Sequence, residues 1–213
     1  MSKFEPTKED LEALELLKVV KEKYSLVTYS KENITAAILD TCQAFDGITE
    51  IGKSNTGFWV NTFLKDVGLG GGYAWCLAAV QYVYKYVSVV TFGKKDLIPN
   101  NTAGTQNLAA WAEKKKLCVY RPEEVKPGDI IIWRNGIGKN RAQGHVAVIK
   151  TSDTTKYTTY EGNTSSANWR DGGAFTTKAY KWNQFGAIGQ PRKDSEARYI
   201  RCVISLDKLI NLV

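Results

Sequence analysis

The first 45 residues alternate hydrophobic and polar positions with the period of an α-helix. Over residues 7–24, apolar residues recur every three or four positions, and Thr7 with Asp10 matches a capping box at a helix start. Ser30 suits the N-cap of a second helix, whose apolar residues keep helical spacing to Phe45. The pattern predicts two amphipathic helices before residue 46.

Three further helices are predicted after a break rich in glycine and asparagine over residues 47–57. The first covers residues 58–67 and ends before a glycine. The second is an apolar run over residues 77–90 that follows Cys76, and the third covers residues 105–117.

Beyond Pro127-Gly128, a turn signal, the pattern changes to short runs rich in β-branched residues. Four strands and a short tail over 207–213 are predicted, the strands covering residues 129–133, 145–151, 157–164 and 199–206. Helices first and strands afterwards predict an α+β fold with an antiparallel sheet. Because 45 residues are few for an independent domain, we expect residues 1–45 to be a helical extension packed on a domain of residues 46–213.

The charge of the chain is unevenly distributed. Residues 1–50 have a net charge of −4, whereas residues 51–213 have a net charge of +11. A basic region suits a polyanionic surface such as cell wall, outer-membrane lipid or nucleic acid, and simple solubility is the alternative explanation. Since no aromatic-basic nucleic-acid motif accompanies the charge, no nucleic-acid partner is expected.

The chain lacks the hydrophobic segments of membrane and secreted proteins. No stretch approaches the roughly 20 apolar residues of a membrane span, so no span is expected. The first residues lack the apolar core of a signal peptide, which predicts synthesis in the cytoplasm. In that compartment disulfides are not expected, and Cys42, Cys118 and Cys202 are predicted to be buried thiols.

The chain has a single histidine, His145, so any mechanism that uses an imidazole depends on it. Cys76 lies upstream, after a glycine-rich turn and at the start of a predicted helix. Glu161 and Asn163 lie downstream on a predicted strand. Nucleophile, base and orienting group in this order are what thiol-based acyl transfer needs. The alternatives are a structural cysteine, a core histidine and a strand-end asparagine.

The start of a helix favours the thiolate form of Cys76, because the helix dipole stabilises negative charge there. The backbone amide of Cys76 is a natural donor to an oxyanion, and the hydroxyl of Tyr73 is a second candidate. Trp75, which precedes the cysteine, is interpreted as a packing residue or as part of the substrate site.

The strand pattern also predicts how the candidate residues meet. If residues 152–154 form the hairpin loop, His145 lies opposite Glu161, and Asn163 shares their face. Glu161 is preferred over Asn163 as the third member, because a carboxylate stabilises an imidazolium whereas an amide only orients it. A slip of one residue would place Gly162 opposite His145 and separate the pair.

Residues 47–54 match the P-loop pattern of nucleotide-binding proteins, but their surroundings do not fit it. A helical segment precedes the pattern where a strand is required, and Glu50 would place negative charge in the phosphate cradle.

A metal site is not expected either. The chain has one histidine, no paired cysteines and a single acid, Asp66, in the loop before Cys76, so no cofactor is predicted.

Four motifs resemble the CHAP domain, whose name stands for cysteine, histidine-dependent amidohydrolase/peptidase. They are Tyr-Ala-Trp-Cys, Lys-Pro-Gly-Asp-Ile-Ile-Ile-Trp, Gly-His-Val-Ala-Val-Ile and Glu-Gly-Asn-Thr, in the family's order over residues 48–164. The resemblance implies a papain-like fold with Cys76, His145, Glu161 and Asn163 at its site. The calcium loop of some family members is not matched here.

The hypothesis from the sequence is a peptidoglycan hydrolase that cleaves an amide bond, as a bacteriophage or prophage endolysin of the amidase or endopeptidase type. We expect a monomer that acts on the bacterial cell wall after release from the cytoplasm. A toxin-type effector delivered by a secretion system is an alternative with the same chemistry. Alternatives of another class are a catalytically inactive binding module and a P-loop nucleotide-binding protein.

Overall fold

A computed structural model describes residues 4–52, 55–99, 104–138, 142–164, 173–191 and 197–212. Within these ranges the α-helices are α1 (Lys8–Ser25), α2 (Lys31–Phe45), α3 (Phe58–Asp66), α4 (Cys76–Lys85), α5 (Thr105–Lys114) and α6 (Leu206–Ile210). The strands are β1 (Cys118–Val119), β2 (Ile130–Asn135), β3 (Gly144–Ser152), β4 (Lys156–Thr164), β5 (Ala174–Lys181) and β6 (Arg198–Ile204). They form one antiparallel sheet in the order β1-β6-β2-β3-β4-β5, which confirms the predicted α+β class.

The two N-terminal helices begin where local sequence predicts. The Thr7 hydroxyl accepts a hydrogen bond from the Asp10 amide at 3.2 Å, and the Asp10 carboxylate accepts one from the Thr7 amide at 2.8 Å. The Ser30 hydroxyl accepts a hydrogen bond from the Asn33 amide and caps α2. Each cap satisfies amide groups that a helix start leaves without partners.

Helices α1, α2 and α4 bury their apolar sides in one core with the inner side of the sheet. Ile34 and Phe45 of α2 and Val80 of α4 are fully buried in this core, together with Val146 of β3. The apolar run predicted as one helix changes at Tyr86 into a π-helical turn, Tyr86–Thr91. None of the described helices has the length and apolar content needed to cross a bilayer.

The sequence prediction missed two edge strands and a helix. Strand β1 has only two residues, and β5 is mostly half-exposed with one fully buried residue, Phe175, so neither carries a strong hydrophobic pattern. The predicted tail contains α6, whose start is held by the buried carboxylate of Asp129. This carboxylate accepts hydrogen bonds from the amides of Leu206 and Lys126, both at 2.8 Å.

The predicted pairing of β3 with β4 is wrong by two residues. The turn is set by the Asp153 carboxylate, which accepts hydrogen bonds from the amides of Thr155 and Lys156, so Ser152 pairs with Tyr157. A bulge at Lys150 then shifts the register by one residue. Beyond the bulge the paired positions are Ile149 with Thr159 and Val148 with Tyr160.

The two faces of the sheet bury different residues. The helix-covered face presents Ile130, Ile132, Val146 and Val148 to the helices. The opposite face, here called the aromatic face, carries Ile131, Trp133, Ala147, Ile149 and Tyr157, and is covered by a short segment that includes Trp182 and Ile188. Alternation along the strands assigns His145 and Glu161 to the aromatic face.

Candidate active site

Cys76 is the first residue of α4 and is 7% exposed. The preceding loop contains Gly72 with φ of 91°, a left-handed conformation that favours glycine. The amide of Gly72 donates to the carbonyl of Asn55 at 3.0 Å, which ties this loop to the segment before α3. Among the described residues, no side chain caps the start of α4, so the helix presents its first amide groups and its positive dipole end at the thiol.

His145 is the second residue of β3 and is 8% exposed. Its Nε2 lies 2.9 Å from Oε2 of Glu161, and its ring also hydrogen-bonds the Cys76 thiol. Because Nε2 is used by Glu161, Nδ1 is the nitrogen left for the thiol. The Trp133 ring packs beside the imidazole with centroids 5.7 Å apart. Cys76, His145 and Glu161 are therefore in one connected chain.

The electrostatics of this chain favour a charged imidazole. Burial lowers the pKa of His145, but the hydrogen bonds to Cys76 and Glu161 outweigh it and raise the pKa to about 9. Burial raises the pKa of Glu161, but its hydrogen bonds to His145, Thr159 and Tyr180 leave that pKa below its ordinary value. Near neutral pH the pair is an imidazolium and a carboxylate, the arrangement that stabilises a neighbouring thiolate.

His145 and Glu161 meet diagonally rather than directly across the strands. Extending the register beyond the bulge places Asn163 opposite His145, with Glu161 two residues away on the same face. Diagonal neighbours lie within reach of long side chains, and the glutamate spans the difference. The register predicted from the sequence was wrong, but a shift of two residues keeps both side chains on one face.

Asn163 lies two residues after Glu161, near the end of β4. It is 4% exposed and has a φ of 54°, and its Oδ1 has no hydrogen-bond partner among the described residues. The adjacent Gly162 leaves room for α4, since a Cβ atom there would lie 2.8 Å from the Trp75 ring. Asn163 thus has a buried acceptor two residues beyond Glu161, and its catalytic role stays a prediction.

The two residues predicted beside the nucleophile differ in environment. Tyr73 is 57% exposed and lies three residues before Cys76, so its hydroxyl is accessible. Trp75 is fully buried and stacks on Phe63 with centroids 6.0 Å apart. This burial supports the packing interpretation of Trp75, and its role in the substrate site stays a prediction.

Two hydrogen-bond partners of Glu161 were missed by the sequence analysis. The Thr159 hydroxyl donates to Oε1 of Glu161 at 2.7 Å, and the Tyr180 side chain hydrogen-bonds the same carboxylate. Thr159 precedes Glu161 by two residues, so strand alternation already placed it on the same face. Tyr180 lies on β5, a strand that was not predicted.

The remaining cysteines are free and buried, as predicted, and the thiols of Cys118 and Cys202 hydrogen-bond each other. Within the described ranges, no group of three or more His, Cys, Asp or Glu is arranged to hold a metal ion.

The P-loop pattern is not followed by a helix in the position that a nucleotide site requires. Helix α3 starts only at Phe58, and the Glu50 carboxylate accepts a hydrogen bond from the Asn55 amide at 2.8 Å. Lys53 and Ser54, the last two residues of the pattern, lie outside the described residues.

Residues 68–163 match the CHAP domain family model. The matched segment contains all four predicted catalytic residues, from Cys76 to Asn163, and ends before β5. The match indicates an amidohydrolase or peptidase that depends on cysteine and histidine. No curated protein matches the chain.

Proposed function

We propose that the protein hydrolyses an amide bond of peptidoglycan, with Cys76 as nucleophile and His145 as acid and base. The observation that carries this proposal is the buried chain from Cys76 through His145 to Glu161, which begins at a helix start. The CHAP match supports the class of reaction. The net charge of +11 over residues 51–213 supports a polyanionic substrate such as the cell wall.

The first half-reaction forms an acyl-enzyme. The thiolate of Cys76 attacks the amide carbonyl, and the negative charge moves to the carbonyl oxygen, where the Cys76 backbone amide can donate a hydrogen bond. The C–N bond then breaks as the His145 imidazolium transfers its proton to the leaving amine.

The second half-reaction releases the product. Neutral His145 accepts a proton from water, whose oxygen attacks the thioester carbonyl. Collapse of this intermediate breaks the C–S bond, releases the carboxylic acid product and restores the thiolate and imidazolium. In both half-reactions Glu161 compensates the positive charge on His145 and holds its orientation.

The proposed biological role is that of a bacteriophage or prophage endolysin of the amidase or endopeptidase type. An enzyme of this kind acts on the cell wall after release from the cytoplasm in which it is made. The bond cleaved distinguishes the two types, because an amidase separates the glycan from the stem peptide and an endopeptidase cuts within the peptide.

The test uses purified peptidoglycan sacculi and follows loss of turbidity, with mass spectrometry of the released muropeptides. We expect Cys76→Ala to abolish solubilisation and keep the fold, because no other group in the site can replace the nucleophile. Cys42→Ala is the matched control, since Cys42 is a fully buried thiol of α2. Solubilisation by Cys76→Ala at the wild-type rate would show that the thiol is not the nucleophile.

A further inference from the structure

Tyr180 lies outside the segment that matches the CHAP model, yet its side chain reaches the carboxylate of Glu161. It belongs to β5, the neighbour of β4 in the sheet. Its ring is fixed among aromatic neighbours, with centroids 5.6 Å from Trp133 and 5.7 Å from Phe185. The hydroxyl is therefore held at the site by packing on the aromatic face.

The Glu161 carboxylate is 1% exposed, so protein groups rather than water must stabilise its charge. Thr159 is fully buried and donates to Oε1, while His145 interacts with Oε2. The hydrogen bond from Tyr180 adds a further neutral donor. Neutral donors remain in place when the charge on His145 changes during the reaction.

We propose that Tyr180, together with Thr159, is a positioning residue that stabilises the negative charge of Glu161 and so allows His145 to release its proton to the leaving amine. The inference rests on the proposed function. When His145 loses its proton, Glu161 is left as a buried anion without its counter-charge. Donors that stabilise this anion make the neutral state of His145 more accessible.

The other groups around this pair come from three elements. The Cys76 thiol faces His145 from α4, Tyr157 lies on β4 beside Tyr180, and Arg198 of β6 acts on both tyrosines. Tyr157 is the natural comparison for Tyr180. It is 1% exposed and stacks on Tyr180 with centroids 5.3 Å apart, but no hydrogen bond joins its hydroxyl to Glu161.

The test exploits the single histidine, whose ring signals in a nuclear magnetic resonance titration need no assignment. In the wild-type protein we expect a His145 pKa of about 9. Tyr180→Phe should raise the measured value by about 0.5 to 1 pH unit, because the buried anion left by deprotonation loses a donor. Tyr157→Phe should leave it unchanged, and Glu161→Gln should lower it.

An unchanged or lower His145 pKa in Tyr180→Phe would overturn the inference, as would an equal rise in Tyr157→Phe. If Tyr180→Phe does not fold, Thr159→Val removes the second donor and should also raise the value; no rise there counts against the inference. The titration needs no substrate. The titration can therefore exclude the role of Tyr180 while the protein still cleaves peptidoglycan. It can equally support that role in a protein that does not cleave peptidoglycan.

Discussion

The two faces of the sheet carry out different tasks. On the helix-covered face, Ile130, Ile132, Val146 and Val148 are buried against helices, and their contribution is apolar burial. On the aromatic face the sheet also buries a histidine and a glutamate, each with hydrogen-bond partners. The comparison shows that alternation along a strand separates the residues that stabilise the fold from those that set the charge of the site.

Cys76 connects the two faces. It belongs to α4, whose residues pack on the helix-covered face, yet its thiol hydrogen-bonds a side chain of the aromatic face. The contact is made near the start of β3, where His145 is the second residue of the strand. The reactive group is thus supplied by one side of the sheet and its charge environment by the other.

In the comparison of the two faces, the larger effect is expected from removing the charge on the aromatic face. Glu161→Gln keeps the shape of the side chain but cannot neutralise the imidazolium, and we expect the initial lysis rate to fall roughly 10²- to 10³-fold. Asn163→Ala should lower it less, since an amide orients without compensating charge. Rates are compared at matched folding, judged by circular dichroism. If the lysis rate of Asn163→Ala fell strongly while that of Glu161→Gln stayed near the wild-type rate, the asparagine would be the third catalytic residue.

The pH dependence of wild-type activity should reflect the same pair. Since the pKa of His145 is raised from its ordinary 6.5 to about 9, the imidazolium persists through neutral pH, and kcat/KM should decline above about pH 9. The His145–Glu161 pair also stabilises the fold, and this stabilisation depends on pH in the same direction as the activity. It is complete below pH 6.5 and is lost as the pH rises through 9. In Glu161→Gln the decline of kcat/KM should begin at a lower pH than in the wild type. A decline at the wild-type pH would show that the titration of a group other than His145 causes it.

The smallest effect is expected from the helix-covered face. Ile130→Val removes one methylene from a fully buried site and should lower the free energy of unfolding by about 0.5–1.5 kcal/mol. Urea denaturation measures this loss. The alkaline decline of activity should stay where it is in the wild type, because Ile130 points away from the charged pair. A shift of that decline would show that the two faces are coupled.

Local patterns predicted the parts of the fold that short-range interactions determine. The caps at Thr7 and Ser30 depend on neighbours three residues away, and both are present as predicted. Strand alternation placed His145 and Glu161 on one face because that property survives a shift of two residues. The register itself depends on the turn at Asp153 and on a bulge, neither of which the hydrophobic pattern marks.

The rest of the site depends on contacts between distant parts of the chain. Tyr180 reaches Glu161 from an edge strand with one fully buried residue, and no spacing along the chain connects the two residues. Likewise, the burial of Trp75 follows from its stacking on Phe63 of α3. Such contacts need the sheet order and the helix packing, which a single sequence does not specify.

The bulge at Lys150 has a consequence for how this chain can change in length. Without it, the pairing set at the turn would continue and place Glu161 opposite Val148, on the helix-covered face. The bulge absorbs the one-residue mismatch between the turn and the catalytic end of the hairpin. Since the extra residue lies on β3, the loss of one residue from this arm can be accommodated by loss of the bulge without moving His145. The outer end of the hairpin is free to diverge while the inner end keeps its chemistry.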